Sequence, residues 1–425
     1  MDEAPRARPL GFPSLLALGI NGIVGVGIFF APRELAAKVP GVAGAFVFLL
    51  TALALLPIAL GYAALGRRFT VDGGPYVWAK AAFGPRFAFF VGWIAYASSL
   101  FSLAAVVTGL AGLAAPVFGI ASPNAVHAFA VLCIVALASV AASGLRLSAM
   151  VWSGVTVLKL VPLVMLVLIG VAASGRMHVE VLRTADVATP PAIARAALLV
   201  VFAFQGFEIV PLLAGSVRPS WAVPWATVSS LVFAAVLYTA LHALAVRAVP
   251  TLAQSPRPLV DAARAYGGVA VADVVATGAI ISSLGIAFGM VNTTPRYLSA
   301  LSGPGAFGPW IGAADTRFVP QRALWLTTLA VVVLVSATRQ LSALFVLSSL
   351  AVLAQYGAAL TSLGVLSWRG DRGFSRRTLW LLPPSLLGVA LAARGAELRE
   401  FVVAGAVLLA GEGIRRVALR RRSGP

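Results

Sequence analysis

Residues 19–32 read GINGIVGVGIFFAP, with glycine at 19, 22, 25 and 27. The run is apolar enough for hydrocarbon, where a helix must satisfy its own backbone. Glycine is the weakest ordinary helix former, costing about 1 kcal/mol against alanine in a helix interior. Four glycines in nine residues have two readings. Either they let neighbouring helices approach closely, since Gly22 stands three residues from both Gly19 and Gly25. Or they let the helix open, baring N–H and C=O groups to protein, water or a ligand.

The rest of the chain sets the medium. Of 425 residues, 60% are hydrophobic and 11% charged, and the mean hydropathy is +0.96. Apolar runs of about 18 residues or more recur along the whole length, each able to cross the ~30 Å hydrocarbon core. Turn residues between them predict an all-α polytopic membrane protein with twelve transmembrane helices. These fall near 12–31, 41–66, 86–114, 124–142, 149–173, 192–215, 224–248, 270–301, 320–337, 340–367, 378–394 and 399–417. The first residues, MDEAPRARPL, carry no h-region of their own, so the first span is expected to be retained.

A net charge of +18 invites a nucleic-acid reading, which fails once the charges are placed. They lie in short loops between apolar spans. Twenty of the 32 arginines and lysines fall on the side of the two termini and eleven on the other, leaving Lys159 inside a span. Both the tail 1–11 and the basic tail 418–425 are therefore expected in the cytoplasm, around a multi-pass cell (inner) membrane. The segments SWRGDRGFSRR (367–377) and RRVALRRRSGP (415–425) are the strongest anchors, serving topology or contact with lipid headgroups. The single cysteine, Cys133, lies in an apolar run, which excludes a disulfide framework. His127, His178 and His242, at span edges or in a loop, have no metal-ligand spacing. No metal and no cofactor is expected.

A second interrupted run decides between the two glycine readings. VFAFQGFEIVPLLAG, residues 201–215, is broken by Gly206, Glu208 and Pro211. Proline removes an intrahelical hydrogen bond, and a glutamate at this depth must find a partner. Interrupted helices at positions one and six of a ten-helix core are what an inverted five-plus-five repeat produces, with a substrate site near the midplane. Half-helix N-termini offer N–H groups to an anion, and unwound carbonyls accept from a cation. A zwitterionic amino acid has one of each.

These stretches bring a family into view. NGIVGVGIF (21–29) resembles the first-helix signature of the amino acid–polyamine–organocation (APC) superfamily. GRRFTVDGGPYVWAKAAFGPRFAFFVGW (66–93) is similar to its loop and third-helix entry, FAFQGFE (202–208) to its sixth helix, and PRYLSALSGPGAFGP (295–309) to its eighth-helix exit. The resemblance covers about the first 370 residues. It implies the leucine-transporter-type fold, with helices 1 and 6 discontinuous. Residues 12–173 would form the first inverted repeat (helices 1–5) and 192–367 the second (helices 6–10), with 378–417 as two peripheral helices.

By that resemblance the substrate carboxylate meets the backbone N–H groups of Val26 and Gly27. The amino group meets carbonyls near Ile23, Phe202, Ala203 and Gln205, with Gly25 and Gly206 at the two openings. Many members carry Ser, Thr or Ala where this chain has Val26, so backbone donors act there without a hydroxyl. Phe202 matches an aromatic gate over the substrate, with plain core packing as its other reading. Gln205 stands where the family commonly has an aliphatic residue. It would read a polar side chain or, as expected here, cap the broken helix.

Lys159 in VTVLKLVPLVMLV (155–167) lies about ten residues from one end of its span, some 15 Å deep. It matches a fifth-helix lysine that, in sodium-independent members, puts its ammonium where sodium-coupled relatives hold an ion. It is expected to be a sodium surrogate or a titrating proton carrier. Glu208 follows the second break, where a half-helix dipole stabilises a carboxylate. It is either a coupling acid or a tie holding the break to its neighbours. A turn at Asp72, Gly73, Gly74 and Pro75, a short amphipathic helix at YVWAKAAF (76–83), and Asn292, Thr293 and Thr294 are expected to be structural. Ser282 and Ser283 would suit an ion site only in a sodium-coupled relative.

The expected function is secondary amino-acid transport by alternating access, sodium-independent, with proton coupling or exchange both open. The partners are then a small-molecule amino acid, membrane lipids and, for symport, protons. No GxxxxGK[ST] loop occurs, so ATP is not the direct energy source. The spans hold no Ser–His, HExxH or paired-aspartate arrangement, so an enzyme is not expected. A transporter-like amino-acid sensor and a carrier for polyamines or other organocations are the alternatives.

Overall fold

The computed structural model describes residues 11–69, 74–144, 149–174, 188–212, 221–302, 309–317, 319–338 and 340–420. Within them the chain is a bundle of helices. These are α1 (Phe12–Ile23), α2 (Val26–Ala36), α3 (Ala43–Arg68), α4 (Gly74–Phe83), α5 (Pro85–Ala114), α6 (Pro123–Ala142), α7 (Ala149–Ser174) and α8 (Pro190–Phe204). They continue with α9 (Ile209–Leu212), α10 (Ala222–Ala248), α11 (Pro258–Ala300), α12 (Pro309–Gly312), α13 (Gln321–Ala337), α14 (Leu341–Arg369), α15 (Leu382–Ala393) and α16 (Leu398–Arg420). Asp72, Gly73 and His178 lie outside the described residues.

Local punctuation sets these limits. Ser122 caps α6 by accepting from the Ala125 N–H at 3.2 Å, and Thr189 caps α8 the same way from Ala192 at 3.4 Å. Gly370, left-handed at φ 69°, closes α14. The span expected at 270–301 is instead the second part of a longer helix. Pro258 starts α11 twelve residues earlier, and Gly268, at φ 73°, bends it before the apolar part begins. Asp261 and Arg264 gave the first part too polar a face to count as a span. His242, expected at a span edge, is fully buried in α10 with its ring 5.8 Å from that of Phe48 on α3.

Among the described residues, seven helices are long and apolar enough to cross a membrane, or nine if each of two bent pairs counts as one span. Their outer faces agree with that medium. Val157, Leu158, Val161, Val164 and Leu168 on α7 are exposed, as are Phe46, Leu50 and Leu53 on α3. Such a density of bare apolar side chains suits lipid rather than water. The interior is built around α5 and α14, whose apolar windows are 67% and 72% buried against 22% for α6.

Several packing pairs recur along the chain. The helix pairs α1/α2 and α8/α9 meet each other, α2 lying on α8. The first lies on α10 and the second on α3, while α3 and α10 lie together. Likewise α5 packs on α14 as α11 packs on α7, α5 on α6 as α11 on α13, and α5 on α11.

The last two helices are tied to this core by charge. Arg195 of α8 donates to both carboxylate oxygens of Glu400 on α16, at 2.6 and 2.7 Å, and to the Gly395 carbonyl at 3.1 Å. Both side chains are mostly buried. Glu400→Leu is expected to destabilise the protein by about 3 kcal/mol, because it leaves the guanidinium with only the Gly395 carbonyl and the Glu397 carboxylate 3.9 Å away. A double change that also makes Arg195→Met should lose less than the single one, read as melting temperatures in detergent.

Candidate functional site

The first opening is made by two residues. Helix α1 stops at Ile23, Val24 and Gly25 run extended, and α2 starts at Val26 with its axis turned by 46°. The Val24 N–H still reaches the Ile20 carbonyl at 2.9 Å. Beyond it the α1 carbonyls lack their helical donors and take side chains instead. The fully buried Lys159 ammonium donates to the carbonyls of Asn21 and Val24, both at 2.6 Å. The Tyr238 hydroxyl of α10 donates to the Ile23 carbonyl at 3.0 Å. An ammonium against the C-terminal end of α1 is favoured by the helix dipole as well as by these bonds. On the other side of the gap no side chain caps α2, so its first-turn N–H groups keep the anion-seeking character of a helix N-terminus.

The second opening lies against the first. Helix α8 ends at Phe204, the chain turns through Gln205–Glu208, and α9 begins at Ile209. Gly206 has φ 120°, and a Cβ there would collide with the Gly22 carbonyl. A Cβ on Gly22 would stand 2.8 Å from the Gly206 oxygen, and one on Gly27 2.9 Å from the Ala203 Cα. The two bared backbones are thus in direct contact. Gly19, Gly22 and Gly27 stand where neighbouring elements approach closely, and the gap between α1 and α2 falls at Val24–Gly25.

Around this junction the side chains come from α8, α11, α14 and the turn after α8. Phe202 is buried and stacks on Phe345 of α14, centroids 4.2 Å apart, with one ring edge beside Gly27. Ile286 of α11 fills the space over Gly25. One turn earlier, the buried Ser282 hydroxyl has no hydrogen-bond partner, while Ser283 donates to the Ala279 carbonyl of its own helix. The Glu208 carboxylate accepts from the Gly206 N–H at 2.8 Å and from the Tyr356 hydroxyl at 3.1 Å, so it ties the second opening to α14.

The Gln205 side chain does not cap the broken helix; only its backbone N–H does, reaching the Phe202 carbonyl at 3.3 Å. Its backbone leaves α8 extended, at φ −60° and ψ 142°, and its amide reaches α5 and α14. The Gln205 carbonyl oxygen accepts from the Ser102 hydroxyl at 3.1 Å and the Ser348 hydroxyl at 3.0 Å, and these two hydroxyls are 2.5 Å apart. Its amide nitrogen is buried without a partner.

Sequence reasoning brought Ile23, Gly25, Val26, Gly27, Phe202, Ala203, Gln205, Gly206, Lys159 and Glu208 forward, and all of them line or brace the two openings. It missed Tyr238, Ser102, Ser348 and Tyr356. The only signal for these was a polar atom in an apolar span, shared with many structural serines and tyrosines. Tyr238→Phe keeps the ring and removes one buried bond, worth about 1 kcal/mol. The expected result is a melting temperature lowered by about 2 °C with the fold retained, measured on purified protein in detergent.

The chain matches the amino acid permease family model over residues 10–398 and belongs to that family. It is 30% identical to an uncharacterized transporter of Mycobacterium tuberculosis, over 97% of this chain and 92% of that protein. A branched-chain amino acid permease of Lactococcus lactis is 25% identical, over 84% and 81% of the two chains. An arginine/ornithine antiporter of Pseudomonas aeruginosa is also 25% identical, over 76% and 70%.

Proposed function

We propose that this protein is a secondary active amino-acid transporter that works by alternating access and does not use sodium. The single observation that carries this reading is the contact between two opened helices, with uncapped amides on one side of the gap and bared carbonyls on the other. An α-carboxylate would bind the N–H groups of Val26 and Gly27 beside Gly25. The α-ammonium would bind a free lone pair of the Ile23 carbonyl and the carbonyls of Phe202, Ala203 and Gln205 at the Gly206 opening. Phe202, at the edge of this space, is suited to act as the gate.

Lys159 supports the sodium-independent part. Its ammonium occupies the two carbonyls that a bound cation would need, and a fixed positive charge leaves neither room nor field for Na⁺. Glu208 and Lys159 are the proposed coupling groups, for a proton or for an exchange cycle. The repeated packing pairs support a leucine-transporter-type five-plus-five inverted repeat over 12–173 and 192–367, with discontinuous first and sixth helices among twelve spans and both termini in the cytoplasm. The test is counterflow in proteoliposomes across the amino acids and polyamines, at two pH values, with and without sodium. Saturable counterflow of an amino acid that ignores sodium is expected. Binding without counterflow would identify a sensor, and counterflow of polyamines alone would move the substrate class.

A further inference from the structure

We infer that Gln205, with Ser102 and Ser348, selects substrates whose side chain is neutral and carries a hydrogen-bond acceptor, as in glutamine, asparagine, serine and threonine. The inference deepens the transport reading above and rests on it.

Three polar side chains, one from the turn after α8 and one each from α5 and α14, meet at the second opening. Ser102 on α5 and Ser348 on α14 both face the Gln205 carbonyl oxygen, at 3.1 and 3.0 Å. Their own 2.5 Å contact completes a closed triangle. Two hydroxyl hydrogens serve these three contacts, and the amide oxygen takes at least one of them. The amide nitrogen is buried with no partner. Buried donors in native proteins nearly always have one, so an orphan in a site asks what pairs with it. A structural role would have been served by an apolar residue, without this cost.

The position says what the donor addresses. Gln205 is the first residue after α8 and the last before Gly206, whose backbone touches Gly22 on the opposite opening. A zwitterion held by the Val26–Gly27 amides and the opened carbonyls carries its side chain into the remaining wall, to which α5 and α14 contribute. A side-chain carbonyl or hydroxyl there takes the free N–H. An aliphatic side chain of the same size leaves it unpaired.

Charge narrows the class further. Glu208 stands three residues away, and its carboxylate is held by the Gly206 N–H and Tyr356 rather than by a basic group. Lys159 is spent on the carbonyls of Asn21 and Val24. An acidic substrate side chain would therefore meet another carboxyl group with no cation assigned to it. Neutral acceptors remain.

The experiment is counterflow in proteoliposomes with the purified full chain, comparing glutamine, asparagine, serine and threonine with leucine, isoleucine, valine and glutamate. The wild type is expected to favour the neutral polar set about tenfold or more, the discrimination one unpaired buried donor gives. Gln205→Leu is expected to reverse the order between glutamine and leucine. Ser102→Ala with Ser348→Ala frees the amide to rotate and should shrink the preference. The wild-type panel decides the matter even if a variant fails to fold. Leucine carried as well as glutamine overturns this inference and leaves the transport reading standing. No counterflow of any amino acid overturns both.

Discussion

Lys159→Gln is expected to lower counterflow by about 100-fold or more while leaving a folded protein. The ammonium makes two charge-assisted hydrogen bonds, to the Asn21 and Val24 carbonyls, each worth roughly 1.5–3 kcal/mol. Together they correspond to at least about two decades in an equilibrium. Glutamine is shorter and neutral, so it neither spans both carbonyls nor answers the α1 dipole. Opening α1 then exposes two buried acceptors, and the shape of the gap is lost with them. Counterflow at matched protein amounts measures the effect, and a melting curve separates it from misfolding. Unchanged uptake with an unchanged pH profile would remove Lys159 from the mechanism.

Gly206→Ala should be nearly as severe, and a matched control isolates the reason. Gly206 sits at φ 120°, and its added methyl meets the Gly22 carbonyl, which is backbone and cannot swing aside. Gly268 also has positive φ, at 73°, but nothing lies within 4 Å of a Cβ there. Gly268→Ala therefore carries only the conformational cost, about 1–3 kcal/mol. Gly206→Ala adds the separation of the two opened helices and is expected to abolish binding and to lower the melting temperature well beyond the control. Equal effects at the two glycines would mean that the contact between openings carries no weight.

How far the sequence could be read depended on distance along the chain. The opening at Val24–Gly25 was visible in four glycines, and the one at Gly206 in a Gly–Phe–Glu and a proline, because helix propensity is a local property. Lys159 was visible because a charge deep in an apolar run needs an explanation wherever it sits. What it touches was not visible, since Asn21 and Val24 are 138 and 135 residues away. Gln205 shows the same limit. Its neighbours in sequence suggested a helix cap, whereas its side-chain hydrogen-bond partners are 103 and 143 residues distant and lie on other helices. The early start of α11 was hidden for a different reason. Its first turns carry Asp261 and Arg264, so hydropathy reports the span and not the helix that leads into it.

The central claim is that two opened helices share one pocket whose backbone holds a dipolar solute. A cryo-electron microscopy structure with a counterflowed amino acid bound tests it most directly. The account predicts density between Gly25 and Gly206, with the carboxylate at the Val26 and Gly27 N–H groups and the ammonium at the Ile23 and Phe202–Gln205 carbonyls. Helices running unbroken through 23–26 and 204–209, or a substrate seated away from both, would contradict it.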